Sequence, residues 1–421
     1  MDSSSRFQNG KMKTDPKVTV IIPNYNGRKF MDQCMDALAA QTYTGFVVLI
    51  VDNGSKDGSV EYLRELCGTG EPEPGRPAEP GGPKDLQALR EKPRKYPYEI
   101  RTILLQENTG FSGAVNVGIS AADTEYVVLL NNDTASEPGY LEELVRVLEE
   151  DRDRRYFAVS PRMIQMYHPE LLDDAGDGYC LLGWAFQRGV GQPVTTPKFA
   201  GPTEVFSACA GAAIYRRDML EEIRLDRLDK ETVPEGQAGL PEDQNGPDSP
   251  GGQFYTDLDG KPRAAYPYFD PMHFAYLEDL DVCFRAQVRG GRVLYAPASE
   301  VLHVGSGTSG SKYNSFKVKL AARNNVFLNY KNMPLLMLLI NLPGILLGVL
   351  VKYLFFLKRG FGKDYAAGFR EGLKMLPQLR PHKTRFRLSR LPQYIRLEWK
   401  MLTDTFSYVQ DVLKRKLPGG K

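Results

Sequence analysis

The first third of the chain contains four short, almost wholly apolar runs, and each run ends in polar residues. Strands that are buried on both faces have this composition, as in a parallel sheet covered by helices. Stretches with helical apolar spacing lie between the runs, at residues 30–40, 59–66 and 112–122. The alternation predicts an α/β fold with an open, Rossmann-like, mainly parallel sheet and helices on both faces. The four runs are VTVIIP (18–23), FVVLIV (46–51), IRTILL (100–105) and YVVLL (126–130).

Polar residues follow each run at the point where its strand is predicted to end. An open parallel sheet binds ligands beyond the carboxyl ends of its strands, so these side chains are candidates for a binding site. Asp52 could accept hydrogen bonds from a base or a ribose, although an acid in D-N-G-S also begins turns and helices. The residues that follow the runs are Asn24 to Asn26, Asp52 and Asn53, Asn108 to Gly110, and Asn131 to Asp133.

The stretch from Asn108 to Gly113 opens the third predicted helix, which contains Asn116. Its glycines permit a close backbone approach, and a helix amino terminus favours a negative charge such as a phosphate. The stretch lacks the G-x-G-x-x-G pattern, which is the main sequence evidence for a nicotinamide cofactor site.

The fourth run ends in Asn131-Asn132-Asp133, which places a carboxylate at the predicted ligand-binding edge. Oxygen ligands suit Mg²⁺ or Mn²⁺, which commonly bridge one or two carboxylates and a substrate diphosphate. Asn and Asp also begin ordinary turns, so the pattern alone is a weak signal. His303 follows a strand-like run, RVLYAP, by a few residues. A lone histidine is usually structural, but a metal held by Asp133 needs further ligands, and His303 is the candidate.

A second group of carboxylates lies in FDPMHFAYLEDLDVCFR (269–285). Glu278, Asp279 and Asp281 stand among apolar residues, where carboxylates are unfavourable unless they are paired or used. Asp281 and Arg285 have the i,i+4 spacing of a helical ion pair, which favours a structural role for Asp281. A desolvated carboxylate can act as a general base toward a hydroxyl group, and Asp279, with Glu278 beside it, is the candidate.

Composition divides the chain into a leader, an α/β domain and a tail. Residues 1–15 are polar and predict a disordered leader, 16–330 the α/β domain, and 331–421 a helical tail. Residues 68–97 and 226–267 are rich in Pro and Gly and predict solvated insertions in the domain. The five cysteines show no paired spacing, which favours free thiols in a reducing, cytoplasmic compartment.

The tail combines an apolar segment with an excess of positive charge. Residues 333–357 are apolar and long enough to span a bilayer, but Asn341, Pro343 and Lys352 interrupt them. Residues 351–421 carry 17 Lys and Arg against 5 Asp and Glu. The pattern favours an in-plane or re-entrant helix on an anionic membrane surface over a clean span. A buried hydrophobic hairpin that caps the domain is the alternative.

Six motifs in the chain resemble those of the family 2 glycosyltransferases with the GT-A fold. They are VIIPNYNG, VDNGSKDGS, ENTGFSGAVNVGI, LLNND, YLEDLDVCFR and HVGSGTS, and the similarity covers about residues 16–330. The chain looks most similar to the bacterial rhamnosyltransferase-like branch, which builds polysaccharides on polyprenol lipids. The resemblance implies a nucleotide-sugar donor, a glycan or lipid-linked acceptor, Mg²⁺ or Mn²⁺, and work at the cytoplasmic face of the cell membrane.

The resemblance also implies roles for single residues. Asn131-Asn132-Asp133 stands where the family has its D-x-D metal motif, with Asp133 as metal ligand and Asn131 in place of the first acid. His303 matches a histidine that completes the metal site, and Asp279 matches the catalytic base. Pro271-Met272-His273 replaces an acid and aromatics in a stretch that faces the acceptor. The residues that would form the donor pocket are Pro23, Tyr25, Asp52, Asn53, Asn108, Gly113 and Asn116, next to Asn131 and Asn132.

The expected activity is transfer of one sugar with inversion, and no nucleic acid partner is expected. Processive synthases of the family carry a Q-x-x-R-W motif, which the sequence lacks. A sugar-phosphate nucleotidyltransferase is a weaker alternative, because its glycine-rich basic loop would stand where this chain has PNYNGRKF. A catalytically dead, membrane-recruited scaffold is a second alternative, to which Asn131 gives slight support.

Overall fold

The structure is a computed structural model and describes residues 7–8, 11–12, 16–67, 95–230, 253–305 and 313–416. Most of the predicted leader lies outside the described residues. The same holds for residues 68–94 and 231–252, which form the inner parts of the two predicted insertions.

The four apolar runs form strands, and the strands extend to the polar residues that follow them. The strands are β1 (Phe7–Gln8), β2 (Lys11–Met12), β3 (Val18–Asn24), β4 (Phe46–Asn53), β5 (Glu99–Leu105), β6 (Tyr126–Leu130), β7 (Thr134–Ser136), β8 (Tyr156–Gln165), β9 (His168–Asp174), β10 (Asp177–Cys180), β11 (Trp184–Gln187), β12 (Thr203–Val205), β13 (Ala212–Arg216), β14 (Gln253–Thr256), β15 (Pro262–Ala265) and β16 (Arg292–His303).

The three helices expected between the runs are present. The helices are α1 (Arg28–Ala39), α2 (Ser59–Cys67), α3 (Gly110–Ala121), α4 (Tyr140–Glu150), α5 (Arg217–Glu222), α6 (Leu225–Lys230), α7 (Glu278–Val288), α8 (Ser315–Asn332), α9 (Leu335–Leu357), α10 (Gly362–Lys374), α11 (Leu376–Leu379) and α12 (Leu391–Lys416).

The central sheet is mixed but mainly parallel. Its strands lie in the order β12-β16-β8-β13-β6-β3-β4-β5, with β7 beside β16 and β9 beside β8. The neighbours β6, β3, β4 and β5 are parallel, and β8 and β16 form a second parallel pair. β13 runs antiparallel between β6 and β8 and joins the two groups. The predicted α/β fold is confirmed, and β13 is an addition that the apolar runs did not reveal.

Helices cover both faces of the sheet, as the apolar runs predicted. Ile21 and Leu49 pack into one core with α3, whereas Val20 and Val48 pack into the other core with α1 and α4. Successive side chains of a strand point to opposite faces, so a continuous apolar run supplies two cores at once.

The helices after the sheet pack onto the α/β domain. The predicted boundary between residues 330 and 331 falls inside α8. α8 packs so closely on α10 that a Cβ added at Gly368 would lie 2.0 Å from the carbonyl oxygen of Lys319. α12 lies against β10, where Tyr179 N donates a hydrogen bond to Asp404 (3.1 Å). Of the helices that the structure describes, α9 is the one long and apolar enough to cross a membrane.

Candidate active site

Asp133 and His303 lie side by side at the carboxyl edge of the sheet. β7 pairs with the end of β16 in a register that sets Thr134 opposite His303. Asp133 directly precedes β7, and its Oδ1 lies 3.5 Å from His303 Nε2. Strand pairing thus brings together the two residues that were predicted to share a metal.

Asp173 contacts the other side of the His303 ring. The Oδ2 of Asp173 lies 2.7 Å from His303 Nδ1. Because a carboxylate accepts, Nδ1 carries a hydrogen and donates a hydrogen bond to Asp173. Asp173 belongs to β9, which pairs with β8, and β8 in turn pairs with β16. A carboxylate that accepts from one ring nitrogen fixes the orientation of a histidine, and here it leaves Nε2 facing Asp133.

The charges around His303 favour its protonated form when no cation is bound. Burial alone lowers the pKa of His303, but the hydrogen bonds and the negative charges of Asp133 and Asp173 outweigh burial and raise the pKa to about 10. The site therefore attracts positive charge, which a proton or a metal ion can supply.

Asp279 is the second residue of α7 and faces the segment that precedes β13. Its Oδ2 accepts a hydrogen bond from Ala210 N (3.3 Å), and its Oδ1 accepts one from Leu280 N (2.8 Å). The next residue of the segment, Gly211, accepts a hydrogen bond from Asn131 N (2.8 Å) through its carbonyl oxygen. One short segment, residues 210–211, thus ties Asp279 to the end of β6, where Asp133 also lies.

Glu278 and Asp279 are desolvated, as their apolar sequence context predicted. Burial raises the pKa of Asp279. Burial, together with the charge of Asp279, raises the pKa of Glu278 well above its ordinary value. Glu278 Oε2 has no hydrogen-bond partner in the part of the chain that the structure describes. A carboxylate with a raised pKa is a stronger proton acceptor, which is the property that a general base needs.

Sequence reasoning missed three acids near this edge, namely Asp173, Asp174 and Asp177. Burial and the charge of Asp173 raise the pKa of Asp174 to about 7. Burial and the charges of Asp174 and Asp279 raise the pKa of Asp177 well above its ordinary value. A signal was available, because these acids stand in LLDDAGDGYC, where carboxylates are as unfavourable as in YLEDLD.

Residues predicted for the donor pocket form a buried polar network at the ends of β3, β4 and β6. Asn24 Nδ2 donates to Asp52 Oδ2 (2.7 Å), and Ser55 N donates to Asp52 Oδ1 (2.9 Å). Asn132 Nδ2 donates to Asn24 Oδ1 (2.6 Å). Asp52 is fully buried, so these bonds tie neighbouring strand ends together. Its contact with a base or a ribose stays a prediction.

Asn53 and Asn116 hydrogen-bond to the chain itself. Asn53 Nδ2 donates to Asn108 Oδ1 and to the carbonyl oxygen of Gly110, both at 3.0 Å. Asn116 exchanges two hydrogen bonds of 2.7 and 2.8 Å with the backbone of Phe269. Both asparagines thus hold loops around the predicted donor pocket, and their contact with the donor stays a prediction.

The start of α3 is covered by another part of the chain. Gly110 has a φ of +79°, and a Cβ added there would lie 2.5 Å from the carbonyl oxygen of Phe274. This oxygen accepts a hydrogen bond from Ser112 N (3.3 Å), and Gly113 is buried inside the same helix. Phe274 makes the close approach that the glycines permit, and binding of a phosphate at this helix end stays a prediction.

Pro23, Tyr25, Asn108 and Asn131 complete the predicted donor set. Pro23 and Asn131 are half-buried, whereas Asn108 is exposed. Tyr25 directly follows β3 and is 38% exposed. Its ring is therefore accessible, and its contact with the donor stays a prediction.

A charged cluster is fully buried between α7 and α8. Lys331 Nζ contacts Asp270 and lies 2.8 Å from Asp281 Oδ1. Arg285 lies 3.0 Å from Asp281, so the predicted i,i+4 pair is confirmed. Asp270, His273 and Asp281 are close enough together to hold a metal ion. The ammonium group of Lys331 contacts both carboxylates, so the chain itself supplies the cation there.

His273 belongs to this buried cluster, whereas Pro271 and Met272 are half-buried, and contact of this stretch with an acceptor stays a prediction. His273 is fully buried and packs edge-on against the Phe327 ring at 5.8 Å. Neither ring nitrogen has a hydrogen-bond partner among the residues described. Burial, followed by the charge of Lys331, lowers the pKa of His273 to about 4.

The low pKa of His273 predicts a loss of stability in acid. The unfolded chain binds a proton at His273 below a pH of about 6.5, whereas the folded chain does so only below about 4. Stability is therefore lost as the pH falls through this window. We expect the free energy of unfolding of the wild type to fall by about 3 kcal/mol more than that of His273→Phe. Urea denaturation at half-unit pH steps measures this difference, and parallel pH profiles would contradict the assignment.

The loop that leads into Asp279 has an unusual backbone. Phe274, Tyr276 and Leu277 have φ values of +63°, +70° and +69°. This region is unfavourable for residues other than glycine, so the surrounding structure must hold the loop in place. Asn324 of α8 does so, because its buried Nδ2 lies 2.8–2.9 Å from three carbonyl oxygens of residues 273–276, which share its two N–H groups.

Comparison with known proteins agrees with the motifs. Residues 19–76 and 81–224 match the family described as Glycosyl transferase family 2. The chain is 28% identical to the glycosyltransferase GlyA of Streptococcus pneumoniae serotype 4, over 33% of this chain and 16% of GlyA. It is 27% identical to an uncharacterized glycosyltransferase of Nostoc sp. PCC 7120, over 49% of this chain and 53% of that protein. The chain thus spans about half or less of these relatives.

Solved glycosyltransferase structures are also similar to this chain. TarS 1–349 of S. aureus, in complex with UDP-GlcNAc, gives a TM-score of 0.47 at 14% identity and covers 94% of this chain and 92% of its own. The mannosyltransferase PcManGT of Pyrobaculum calidifontis, in complex with GDP-Man and Mn²⁺, gives a TM-score of 0.42 at 15% identity. The match covers 96% of this chain and 89% of PcManGT. The mainly parallel sheet between two helical layers is the expected GT-A-like fold. Residues 19–76 and 81–224 are therefore similar to Glycosyl transferase family 2, the family that the motifs resemble.

Proposed function

We propose that the protein is a metal-dependent, inverting glycosyltransferase that moves a single sugar from a nucleotide diphosphate donor to a glycan or lipid-linked acceptor. One observation supports this most. Asp133 and His303 lie 3.5 Å apart at the carboxyl edge of the sheet. Residues 210–211 hydrogen-bond both to Asp279 and to the end of the strand that precedes Asp133. A pair of metal ligands close to a desolvated carboxylate is what displacement at a sugar diphosphate requires.

Asp133 and His303 fit a divalent cation. Asp173 engages Nδ1 of His303, so Nε2 is the nitrogen that would bind the metal. One carboxylate and one imidazole suit Mn²⁺ better than Mg²⁺, which prefers oxygen ligands. When bound, the cation would stabilise the charge that develops on the departing diphosphate. Asn131 supplies no charge, so we expect the donor diphosphate to contribute to cation binding.

Asp279 is the proposed general base. Its carboxylate accepts the proton of an acceptor hydroxyl while the oxygen of that hydroxyl forms a bond to the anomeric carbon. The bond from the anomeric carbon to the diphosphate oxygen breaks on the opposite face, and the nucleoside diphosphate leaves with the electron pair. One such displacement inverts the anomeric configuration. Because protonated Asp279 cannot accept the proton, the rate should fall as the pH falls through its raised pKa.

The donor and the acceptor follow from the resemblance to the rhamnosyltransferase-like branch. We propose nucleotide-linked rhamnose as the first donor to test, with a polyprenol-linked saccharide as acceptor. The proposed location is the cytoplasmic face of the cell membrane, with a role in cell-surface polysaccharide synthesis.

The activity is tested by product analysis with the full chain. The protein is incubated with each of a panel of nucleotide sugars, Mn²⁺ and a polyprenol-linked acceptor, and the release of nucleoside diphosphate is measured by chromatography. We expect release of nucleoside diphosphate from one class of donor, and NMR of the product should show the inverted anomer.

Two outcomes would contradict the proposal. Pyrophosphate release from a nucleoside triphosphate and a sugar phosphate would indicate the nucleotidyltransferase alternative. Donor binding without transfer or hydrolysis, across the whole panel, would indicate a catalytically dead scaffold.

The contact between Asp173 and His303 predicts an effect on metal binding. Asp173→Ala removes the group that orients the ring, so we expect the affinity for Mn²⁺ to fall about 10–100-fold. Electron paramagnetic resonance of free Mn²⁺ measures this in the presence of the nucleoside diphosphate. Asp36→Ala, an exposed position on α1, is the matched control. An unchanged Mn²⁺ affinity in Asp173→Ala would remove His303 from the metal site.

A further inference from the structure

α9 has one face packed against the domain along most of its length. Its buried residues are Met337, Asn341, Ile345 and Gly348, which recur at the three- and four-residue spacing of a single helical face. A Cβ added at Gly348 would lie 2.0 Å from the carbonyl oxygen of Leu182, so the helix axis lies close against the domain. Asn341 Nδ2 donates to Glu398 of α12 (2.6 Å), which fixes this face further.

The opposite face of α9 is apolar and exposed. Leucine and isoleucine side chains stand on it from one end of the helix to the other, each 46% exposed or more. A continuous apolar face of this length is uncommon on a monomeric soluble protein and marks a site of interaction. The central members of this face are Leu339, Ile340, Leu346, Leu347, Leu350 and Leu354.

α12 contributes a second exposed apolar stripe. Ile395, Trp399, Phe406, Val409 and Leu413 are each 44–66% exposed and lie on one helical face. The other side of α12 is buried against the domain, as the Asp404 contact with β10 shows. α12 is therefore amphipathic and firmly attached, like α9.

An apolar groove of about 410 Å³ lies between the two helices. The volume lies in the range of about 300–1,000 Å³ that is usual for small-molecule pockets. Residues from both helices and from the connecting segment line the groove, so it opens between the two exposed stripes. Among these residues are Leu336, Met337, Ile340, Phe386, Ile395 and Trp399.

A cationic cleft adjoins the groove through the same connecting segment. Arg385 and Arg387 line the cleft, whereas Phe386 between them lines the groove. Arg289, Lys383 and Arg390 also line the cleft, and neither Asp nor Glu occurs among the lining residues that the structure describes. An amphiphile with an anionic head and a hydrocarbon chain matches this pair of sites.

We propose that α9, α12 and residues 385–391 form one surface that lies in the plane of an anionic bilayer, and that the groove holds one acyl chain of a phospholipid whose phosphate contacts the cationic cleft. α9 does not cross the bilayer in this arrangement. Crossing would require its buried face to lose contact with the domain, and Asn341 would then lie in hydrocarbon. A second copy of the chain is a poor occupant, since residues 351–421 carry 17 basic against 5 acidic residues. The proposal does not depend on the transfer reaction.

Trp399 is a built-in probe of the groove. The chain has two tryptophans, of which Trp399 is 66% exposed and Trp184 is 5% exposed. The full chain with Trp184→Phe is mixed with phosphatidylglycerol–phosphatidylcholine vesicles that carry brominated acyl chains. We expect strong quenching of Trp399 fluorescence, and little quenching of Trp184 in the Trp399→Phe variant. Vesicle-bound protein whose Trp399 is not quenched would overturn the groove assignment.

The orientation of α9 is tested with two further probes in a variant that lacks both natural tryptophans. Leu339→Trp and Leu350→Trp replace exposed side chains of α9. An in-plane helix predicts the same shallow depth for both probes when the bromine position along the acyl chain is varied. If α9 crosses the bilayer, the probes differ in depth by about 16 Å, and the proposal fails.

Charge variants separate the two halves of the surface. Ile340→Asp and Ile395→Asp place a charge at side chains that are 63% and 61% exposed, so folding does not depend on them. We expect each of these variants, and the double variant Arg385→Glu/Arg387→Glu, to reduce the partition coefficient at least about tenfold. The matched control Tyr167→Asp, at an exposed apolar position outside the surface, should bind vesicles as the wild type does.

Two results would overturn the surface itself. Failure of the wild type to bind anionic vesicles, together with a dimer in light scattering, would assign the apolar face to a second copy of the chain. Equal binding of the control and the surface variants would show that the contact lies elsewhere on the protein.

Discussion

Asp279→Asn is expected to abolish sugar transfer without weakening the fold. The substitution keeps the size of the side chain but removes the proposed proton acceptor, so kcat should fall about 10²–10⁴-fold. Burial already disfavours the charge of Asp279, and Asp174 and Asp177 lie close enough to feel that charge. Asparagine can accept only one of the two hydrogen bonds from Ala210 N and Leu280 N, and removal of the charge offsets this loss, so the melting temperature should change little.

Three measurements make this test specific. Transfer rates are measured at saturating donor and acceptor, donor affinity by calorimetry, and the melting temperature by differential scanning fluorimetry. We expect loss of rate alone in Asp279→Asn, and no change in the exposed control Asp36→Asn. A rate within about tenfold of the wild type would remove Asp279 from the mechanism, since base catalysis contributes more than that.

Lys331→Met is expected to cause the largest loss of stability. Lys331 is fully buried and contacts the carboxylates of Asp270 and Asp281. Asp281 also has an ion pair with Arg285, so Asp270 depends most on Lys331 for its neutralising charge. Removing one partner from a buried ion pair leaves an uncompensated charge and typically costs about 3–5 kcal/mol. Urea denaturation of the wild type and the variant at neutral pH measures the difference in the free energy of unfolding.

The double variant Asp270→Asn/Lys331→Met is the control for this explanation. It removes one negative and one positive charge together, so the cluster stays balanced. We expect it to be more stable than Lys331→Met alone, because the interaction energy of neighbouring charges is not additive. An exposed ion pair contributes at most about 1 kcal/mol. If Lys331→Met lowers the free energy of unfolding by less than this, the buried cluster does not stabilise the fold as proposed.

The sequence predicts the parts of this fold that depend on local pattern. The strands β3 to β6 and the helices α1 to α3 follow from apolar runs and helical spacing, since burial on two faces demands such composition. The pairing of Asp281 with Arg285 follows from their spacing on one helix. The proximity of Asp133 and His303 is expected from the shared metal site that the motifs imply.

The remaining features depend on tertiary contacts that no local pattern reveals. β13 lies antiparallel between β6 and β8. Its position in the sheet depends on pairing with these two strands, which are distant in sequence. Lys331 lies 61 residues from Asp270, so their contact cannot be deduced from spacing. Asn53 and Asn116 are predicted for the donor pocket from the motifs in which they stand, and sequence alone does not reveal that they also hydrogen-bond to nearby loops. An isolated polar residue in an apolar setting therefore indicates a special role without distinguishing support from catalysis.

The attachment of the loop before Asp279 to α8 has a practical consequence for protein engineering. A truncated protein that ends at Tyr330 would keep Asn324 but lose Lys331, Asn332 and the helices that brace α8. Such a fragment should express poorly or give a disordered catalytic loop, even though every recognised motif is retained. A soluble version suited to crystallisation should keep the chain through α12 and replace outward-facing leucines of α9 with polar residues instead.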